Sequence, residues 1–132
     1  MYKVALVGVG GISGAHIPAW EDMENAELVA LCDIRPERTE SFAETKHIYT
    51  DFEEMLEKEE FDILDICLPT YLHCEYTVRM LEKGYHVLCE KPIALKREDI
   101  SAIVKSAEGS DKKFMVGQVM KLNPSKAKLI EI

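Results

Sequence analysis

The feature that most constrains this chain is a cluster of glycines near its start. Four of its seven glycines, Gly8, Gly10, Gly11 and Gly14, follow the apolar run that begins at Val4. Glycine is required where a chain turns tightly and where backbone must approach another group closely. Between a strand and a helix, such a turn points free N–H groups and the partial positive charge of a helix start at one place, which suits an anion. The spacing Gly8-x-Gly10-x-x-Ser13-Gly14 departs from a strict G-x-G-x-x-G only at Ser13, which is small enough to let the helix lie on the strand. No Gly-Lys-Ser/Thr follows, so the loop is not a P-loop. The next apolar run, Leu28–Asp33, ends in an acid nineteen residues after Gly14. That is the place of the carboxylate that meets the adenosine ribose in dinucleotide sites. The segment from Met1 to Asp33 therefore predicts a dinucleotide-binding unit. Gly8, Gly10, Gly11, Ile12 and Ser13 are expected at the pyrophosphate, and Asp33 at the ribose. Asp33 favours NAD because a carboxylate repels a 2′-phosphate. Arg35, two residues on, offers that phosphate a seat, so NADP stays open.

The remainder of the chain repeats an alternation of apolar runs and helical patterns. Lys3–Gly8, Leu28–Asp33, Asp62–Leu68, His86–Glu90 and Lys113–Gly117 read as strands, with a weaker one at His47–Thr50. Most are apolar at consecutive positions, the mark of strands covered on both faces. Helix signals separate them. Pro36 stands at a first helical position, Asp51 with Glu54 resembles a capping box, and a helix from about Leu72 to Lys83 stops at Gly84 in a left-handed cap. Another carries Ile100, Ile103, Val104 and Ala107 on one face and stops at Gly109. The expected fold is α/β, a doubly wound, mostly parallel sheet in a single domain of Rossmann-like form. Pro18 is expected to kink the first helix. Asp65, inside a strand pattern, is expected at a sheet edge or in a local pair. The acidic run Glu53–Glu60 reads as a solvated helix face, and Tyr71, Tyr76 and Tyr85 as packing or surface residues.

Composition narrows the class further. Twenty-four Asp and Glu against sixteen Lys and Arg give a net charge of −8, the wrong sign for a nucleic-acid footprint. No apolar run approaches the ~20 residues of a membrane span. Cys32, Cys67, Cys74 and Cys89 form no C-x-x-C pair and have no zinc spacing with the histidines, so no metal is expected. They read as reduced, small hydrophobes of a cytoplasmic protein.

The segment Gly84-Tyr85-His86-Val87-Leu88-Cys89-Glu90-Lys91-Pro92 resembles the G-x-H-V-x-x-E-K-P hallmark of the Gfo/Idh/MocA oxidoreductases. Gly8–His16, Ile66–His73 and Val116–Pro124 resemble other segments of that family, with Leu68 for the usual Thr, Thr70 for the usual Asn and Lys121 for the usual Arg. The resemblance covers the family's N-terminal, nucleotide-binding domain only. It implies an NAD(P)-dependent dehydrogenase or reductase acting on a sugar, inositol or related polyol or keto compound. It also implies that Lys91 is the catalytic donor or acid/base at the substrate oxygen, with Glu90 orienting it or offsetting its charge. Beside an oxidised nicotinamide, the Lys91 ammonium meets a like charge and partial desolvation, both of which favour release of its proton. Taken alone, Glu90-Lys91 reads as a solvated pair before a turn proline. Pro92 is a candidate for a cis bond that aims Lys91 inward. The resemblance places Leu68, Pro69, Thr70 and His73 near the nicotinamide ribose, Gln118 at the nicotinamide or substrate, and His16 in a supporting role.

Asn123-Pro124 reads as a helix start, and the chain ends within that helical pattern. A domain over residues 1–132 that leads into an absent substrate domain is therefore expected, with cofactor binding but little turnover from this chain. An unpartnered domain of that kind is expected to self-associate through an exposed apolar patch, giving a homo-oligomer. Two other readings stand beside it. One is a free-standing NAD(P)-sensing module without chemistry. The other is a doubly wound domain for another nucleotide or S-adenosylmethionine. The Glu90-Lys91-Pro92 segment fits neither.

Overall fold

The computed structural model describes residues 1–118. Six strands alternate with helices in a single sheet: β1 (Tyr2–Val7), β2 (Ala26–Cys32), β3 (His47–Tyr49), β4 (Ile63–Ile66), β5 (His86–Cys89) and β6 (Phe114–Val116). Their spatial order is β3-β2-β1-β4-β5-β6, and every pairing is parallel. The chain leaves β1 for β2 on one side and returns to β4 on the other. The crevice between the tips of β1 and β4 is thus the switch point, where ligands bind in open α/β sheets. The helices are α1 (Ser13–Glu21), α2 (Phe52–Lys58), α3 (His73–Glu82) and α4 (Arg97–Glu108). Among the described residues, no helix is long and apolar enough to cross a membrane.

The consecutive apolar positions have the predicted cause. Val4 and Leu6 face α1, where they pack with Ile17, Leu28 and Leu31. Ala5 and Val7 face the other way, into a core with Met55, Leu64, Ile66, Met80 and Val87. Both faces of β1 are therefore dry. A register shift opposite Val4 and Ala5 leaves Val29 unpaired. Val29 and Ala30 then share one face, which brings Leu28 and Leu31, three residues apart, onto the other.

Several helix expectations need amendment. Pro36 begins only a single 3₁₀ turn, Pro36–Arg38, followed by another at Glu40–Phe42. This stretch has no apolar stripe to bury, and its only buried side chain is Thr39, whose hydroxyl donates back to the Pro36 carbonyl at 3.0 Å. The capping box at α2 is half formed: Asp51 Oδ1 accepts from the Glu54 N–H at 2.9 Å, but the Glu54 carboxylate turns to Lys58 at 2.6 Å. The acidic run is not wholly solvated either, because Glu59 is largely covered and bonds to His47 and Tyr49. Gly84 does adopt the left-handed form, at φ +87°. On α4 only Ile103 is fully buried, while Ile100 and Val104 face outward. Pro18 lies inside α1 without ending it. The N–H that proline lacks would have reached the carbonyl of Gly14. Tyr76 tilts against Phe52 and Tyr85 stacks on Phe61, each at 4.7 Å, and Tyr71 lies on the surface. Residues Asn123 to Ile132, where a further helix is expected, lie outside the described residues, as does Lys121.

The glycines of the loop are not equivalent. A Cβ on Gly8 would lie 2.7 Å from the Cys67 carbonyl carbon, and its φ is +93°. Gly11 and Gly14 would meet nothing within 4 Å. Gly8→Ala is expected to lower unfolding free energy by more than about 2 kcal/mol. Gly14→Ala, inside a helix, is expected to raise it by up to about 1 kcal/mol. Chemical denaturation of the two variants checks both signs.

Candidate functional site

The switch point is built by backbone. The Gly8 N–H donates to the Cys32 carbonyl at 2.8 Å, and the Cys67 N–H to the Val7 carbonyl at 2.9 Å. These bonds gather the tips of β1, β2 and β4. From there the loop runs into α1, whose start has no side-chain cap and no acid in its first turn. Its first amides are left for an outside anion. Ser13 is buried, and its hydroxyl donates to the Gly10 carbonyl at 2.6 Å, closing the loop on itself. Gly10 is half-buried, and Gly11 and Ile12 are exposed. A cavity of about 620 Å³ opens beside the loop, lined among others by Gly8, Gly10, Asp33, Leu68 and Pro69. The residues fit a dinucleotide: a backbone approach that no Cβ would permit, an uncapped helix start and a carboxylate share one cleft.

Asp33 stands at the tip of β2 and is nearly buried. Its Oδ2 accepts from the Val9 N–H at 2.8 Å and from Arg38 Nη1 at 3.3 Å. Its Oδ1 accepts from the Arg35 N–H at 2.9 Å. Three of about four acceptor positions on the carboxylate are thereby used, and one remains for a hydroxyl. Arg35 serves Asp33 through its main chain, and its side chain is exposed on the cavity rim. Arg38 went unnoticed in the sequence. It lies in a short polar turn with no periodicity to mark it, and it supplies the ion pair.

On the far side of the cleft, Leu68 and Pro69 line the wall, and Thr70 opens a 3₁₀ turn, Thr70–Leu72. His73 lies behind them, 1% exposed. Its Nδ1 is 2.8 Å from the Pro92 carbonyl and its Nε2 2.8 Å from the Leu68 carbonyl. Both nitrogens face main-chain carbonyls, and the buried ring lies between two turns and off the cavity wall. Gln118 follows β6 and is exposed. Its N–H donates to the Val116 carbonyl at 2.7 Å.

The Lys91–Pro92 peptide is cis, and the Lys91 side chain is exposed at the carboxyl end of β5. The Glu90 carboxylate does not pair with the Lys91 ammonium. It is turned inward: Oε2 accepts the Lys91 main-chain N–H at 3.0 Å, and Oε1 lies 3.0 Å from His16 Nε2. The other His16 nitrogen, Nδ1, is 2.8 Å from Asp65 Oδ2, which also accepts from Trp20 Nε1 at 2.6 Å. Asp65 is therefore not at an edge, and beside a local contact from the Cys67 thiol it is paired across the fold. It is fully buried in β4, an interior strand, and its partners come from α1, where His16 and Trp20 are four residues apart on one face. A charged residue inside an apolar strand was the available signal for this network, since such a group needs a partner from another element.

Hydrogen bonding to Asp65, with the nearby Asp65 and Glu90 charges, holds the His16 imidazolium up to about 8 against the desolvation that opposes it. Burial pushes the Cys32 and Cys89 thiols up to about 12 and raises Cys67 as well. All four cysteines are free, and the three buried ones are protonated fillers rather than nucleophiles. Ligand atoms of His16, Asp65 and Cys67 lie within 4.8 Å of one another. The Asp65 Oδ2 is already committed to two N–H donors, and the Cys67 thiol faces Oδ1 at 3.7 Å, so the group is a hydrogen-bonded cluster.

Fold and cleft together define a dinucleotide-binding Rossmann domain. Residues 2–118 match the GFO_IDH_MocA family, described as an oxidoreductase family with an NAD-binding Rossmann fold. The chain belongs to that family. It is 36% identical over 110 residues to glucose-6-phosphate 3-dehydrogenase of Bacillus subtilis, covering 82% of this chain and 31% of that protein. It is 32% identical over 127 residues to D-apiose dehydrogenase of Paraburkholderia graminis, covering 94% of this chain and 34% of the relative. The chain thus spans about a third of the length of these relatives. A crystal structure of the WlbA dehydrogenase from Chromobacterium violaceum, in complex with NADH and UDP-GlcNAcA, superposes with a TM-score of 0.90 at 31% identity. It covers 97% of this chain and 38% of that one.

The raised His16 group has a consequence for stability with a definite sign. Its contribution is complete below the unfolded value of 6.5 and is lost as pH climbs through about 8. Between those limits wild type is expected to lose up to about 2 kcal/mol relative to His16→Gln. Urea denaturation of both proteins across that range checks it; a constant difference would refute the assignment.

Proposed function

We propose that this chain is the nucleotide-binding half of an NAD(P)-dependent dehydrogenase or reductase acting on a sugar, inositol or related polyol or its keto form. One observation carries the reading. Lys91 is exposed at the carboxyl end of β5, on the same rim as the glycine loop and two strands along from it, a separation of about 10 Å. A cofactor held at Asp33 and the glycine loop would bring its hydride chemistry to the side of the switch point where that lysine stands. The substrates named for the relatives, a sugar phosphate and a pentose among them, support the substrate class.

The residues divide the work. The loop from Gly8 to Ser13 admits the pyrophosphate against main chain, and the uncapped start of α1 offsets its charge. Asp33 accepts a ribose hydroxyl through its remaining acceptor position, which favours NAD; Arg35 and Arg38 on the rim are the groups that would face a 2′-phosphate. Leu68 and Pro69 wall the cleft, and Thr70 in the turn that follows and Gln118 beyond β6 would approach the nicotinamide. The Lys91 Nζ holds the substrate oxygen and takes or returns its proton as the alcohol and carbonyl interconvert. When bound, the nicotinamide supplies the hydride acceptor or donor. The remaining substrate contacts come from outside residues 1–118. Four free thiols, three of them buried, suit a reducing compartment, and the cytoplasm is the proposed location.

NADH fluorescence titration tests the cofactor role. Saturable binding is expected, tighter than for NADPH, and weakened at least tenfold by Asp33→Ala. Tighter NADPH binding would overturn the preference, and no binding of either would overturn the function. In a protein that turns over substrate, Lys91→Ala is expected to keep NADH affinity within about threefold while kcat falls by about 10²–10⁴; wild-type turnover would remove the role.

A further inference from the structure

Beneath the Glu90–Lys91 turn runs a buried chain of contacts that no step of the proposed reaction uses. Trp20 Nε1 donates to Asp65 Oδ2. His16 bridges that same oxygen and Glu90 Oε1. Glu90 Oε2 accepts the Lys91 N–H. Gly117 belongs to it too, because a Cβ there would lie 2.6 Å from Glu90 Oε1. Asp65 and Glu90 are 0% and 5% exposed, so neither can exchange its partner for water.

Such a network is a poor way to stabilise a sheet, since an apolar residue at position 65 would avoid burying a charge. Its geometry does something else. Each His16 nitrogen faces a carboxylate oxygen, so both contacts are hydrogen bonds only while both nitrogens carry protons. Loss of one proton leaves a lone pair against a carboxylate. The His16–Glu90 contact, the longer of the two, is the weaker, and its carboxylate is the one that holds Lys91. We propose that Asp65 is a positioning residue for Lys91: through His16 it fixes the Glu90 carboxylate, and through Glu90 the main chain of the Lys91 turn. Asp65 from β4 and Glu90 from the end of β5 are the charged groups facing His16. The nearby thiols Cys67 and Cys89 stay neutral, and Gly117, just after β6, packs on the Glu90 carboxylate. The consequence for catalysis rests on the role proposed for Lys91, whereas the positioning itself does not.

The test needs no substrate. Trp20 is the sole tryptophan of the chain, so its indole N–H gives one assignable NMR signal at one end of the network, and the Lys91 amide gives another at the far end. In the full chain both signals are expected to titrate with one shared midpoint near 8, the value to which Asp65 and Glu90 raise His16. In Asp65→Asn the Lys91 midpoint is expected to fall by a pH unit or more, and in His16→Gln the transition is expected to vanish. A Lys91 amide that is silent through this range, or that titrates in His16→Gln as in wild type, overturns the proposal. So does a Lys91 midpoint unmoved in Asp65→Asn. If Asp65→Asn fails to fold, Gly117→Ala replaces it: displacing Glu90 is expected to uncouple the Lys91 amide while the Trp20 signal still titrates, and continued coupling overturns the proposal. NADH titration of the same samples is independent, so loss of cofactor binding and loss of the relay are separately visible.

Discussion

The arrangement depends on one close approach. Gly8 ends β1 against the carbonyl of Cys67 at the end of β4, at a distance no side chain tolerates. Because β1 and β4 are the neighbours between which strand order reverses, this contact brings the switch-point crevice down to bare backbone. The hydrogen bonds from Gly8 to Cys32 and from Cys67 to Val7 then lock three strand tips at one level. Past Val9, whose N–H is held by Asp33, the loop enters α1 with no side-chain cap on the helix start. A residue larger than glycine at position 8 would move the strands apart and the helix start out of register with Asp33.

The residues that announced themselves in the sequence did so through backbone demands or periodicity. Gly8 and Gly84 both take positive φ, and the consecutive apolar positions of β1 do fill two cores. What escaped notice lacks any local signature. The shift at Val29 exists because β1 and β2 pair as they do, and its own residues resemble any other Val-Ala step. Pro36 carries the correct start signal, but nothing after it offers a face to bury, so the helix stops after a turn. Arg38 becomes visible only when its turn folds back on Asp33. Asp65 was visible as an anomaly, yet its partners lie forty-five and forty-nine residues away. No pattern within β4 could have named them.

Two of the four histidines, His16 and His73, show why residue type alone misleads. Both belong to segments that resemble cofactor-contacting motifs, and neither ring reaches the cavity wall. His73 sits between the carbonyls of Leu68 and Pro92, joining the turn after β4 to the turn after β5. His16 spends both nitrogens on Asp65 and Glu90, binding α1 to β4 and to the same turn after β5. The Glu90–Lys91–Pro92 segment is therefore held from two directions, by carboxylate on one side and by carbonyl on the other. The Lys91 side chain itself is exposed.

Asp33 follows the same economy at the other end of the cleft. Its carboxylate spans the glycine loop through Val9, its own strand exit through Arg35, and the following turn through Arg38. It braces three segments before it meets the ribose proposed for it. A ribose hydroxyl arriving at its last acceptor position joins a group already fixed in place, so little ordering remains to oppose binding. A 2′-phosphate arriving there meets the carboxylate first and gains Arg38 only if that guanidinium leaves Asp33. The preference proposed for NAD therefore rests less on the carboxylate alone than on the ion pair that keeps Arg38 occupied.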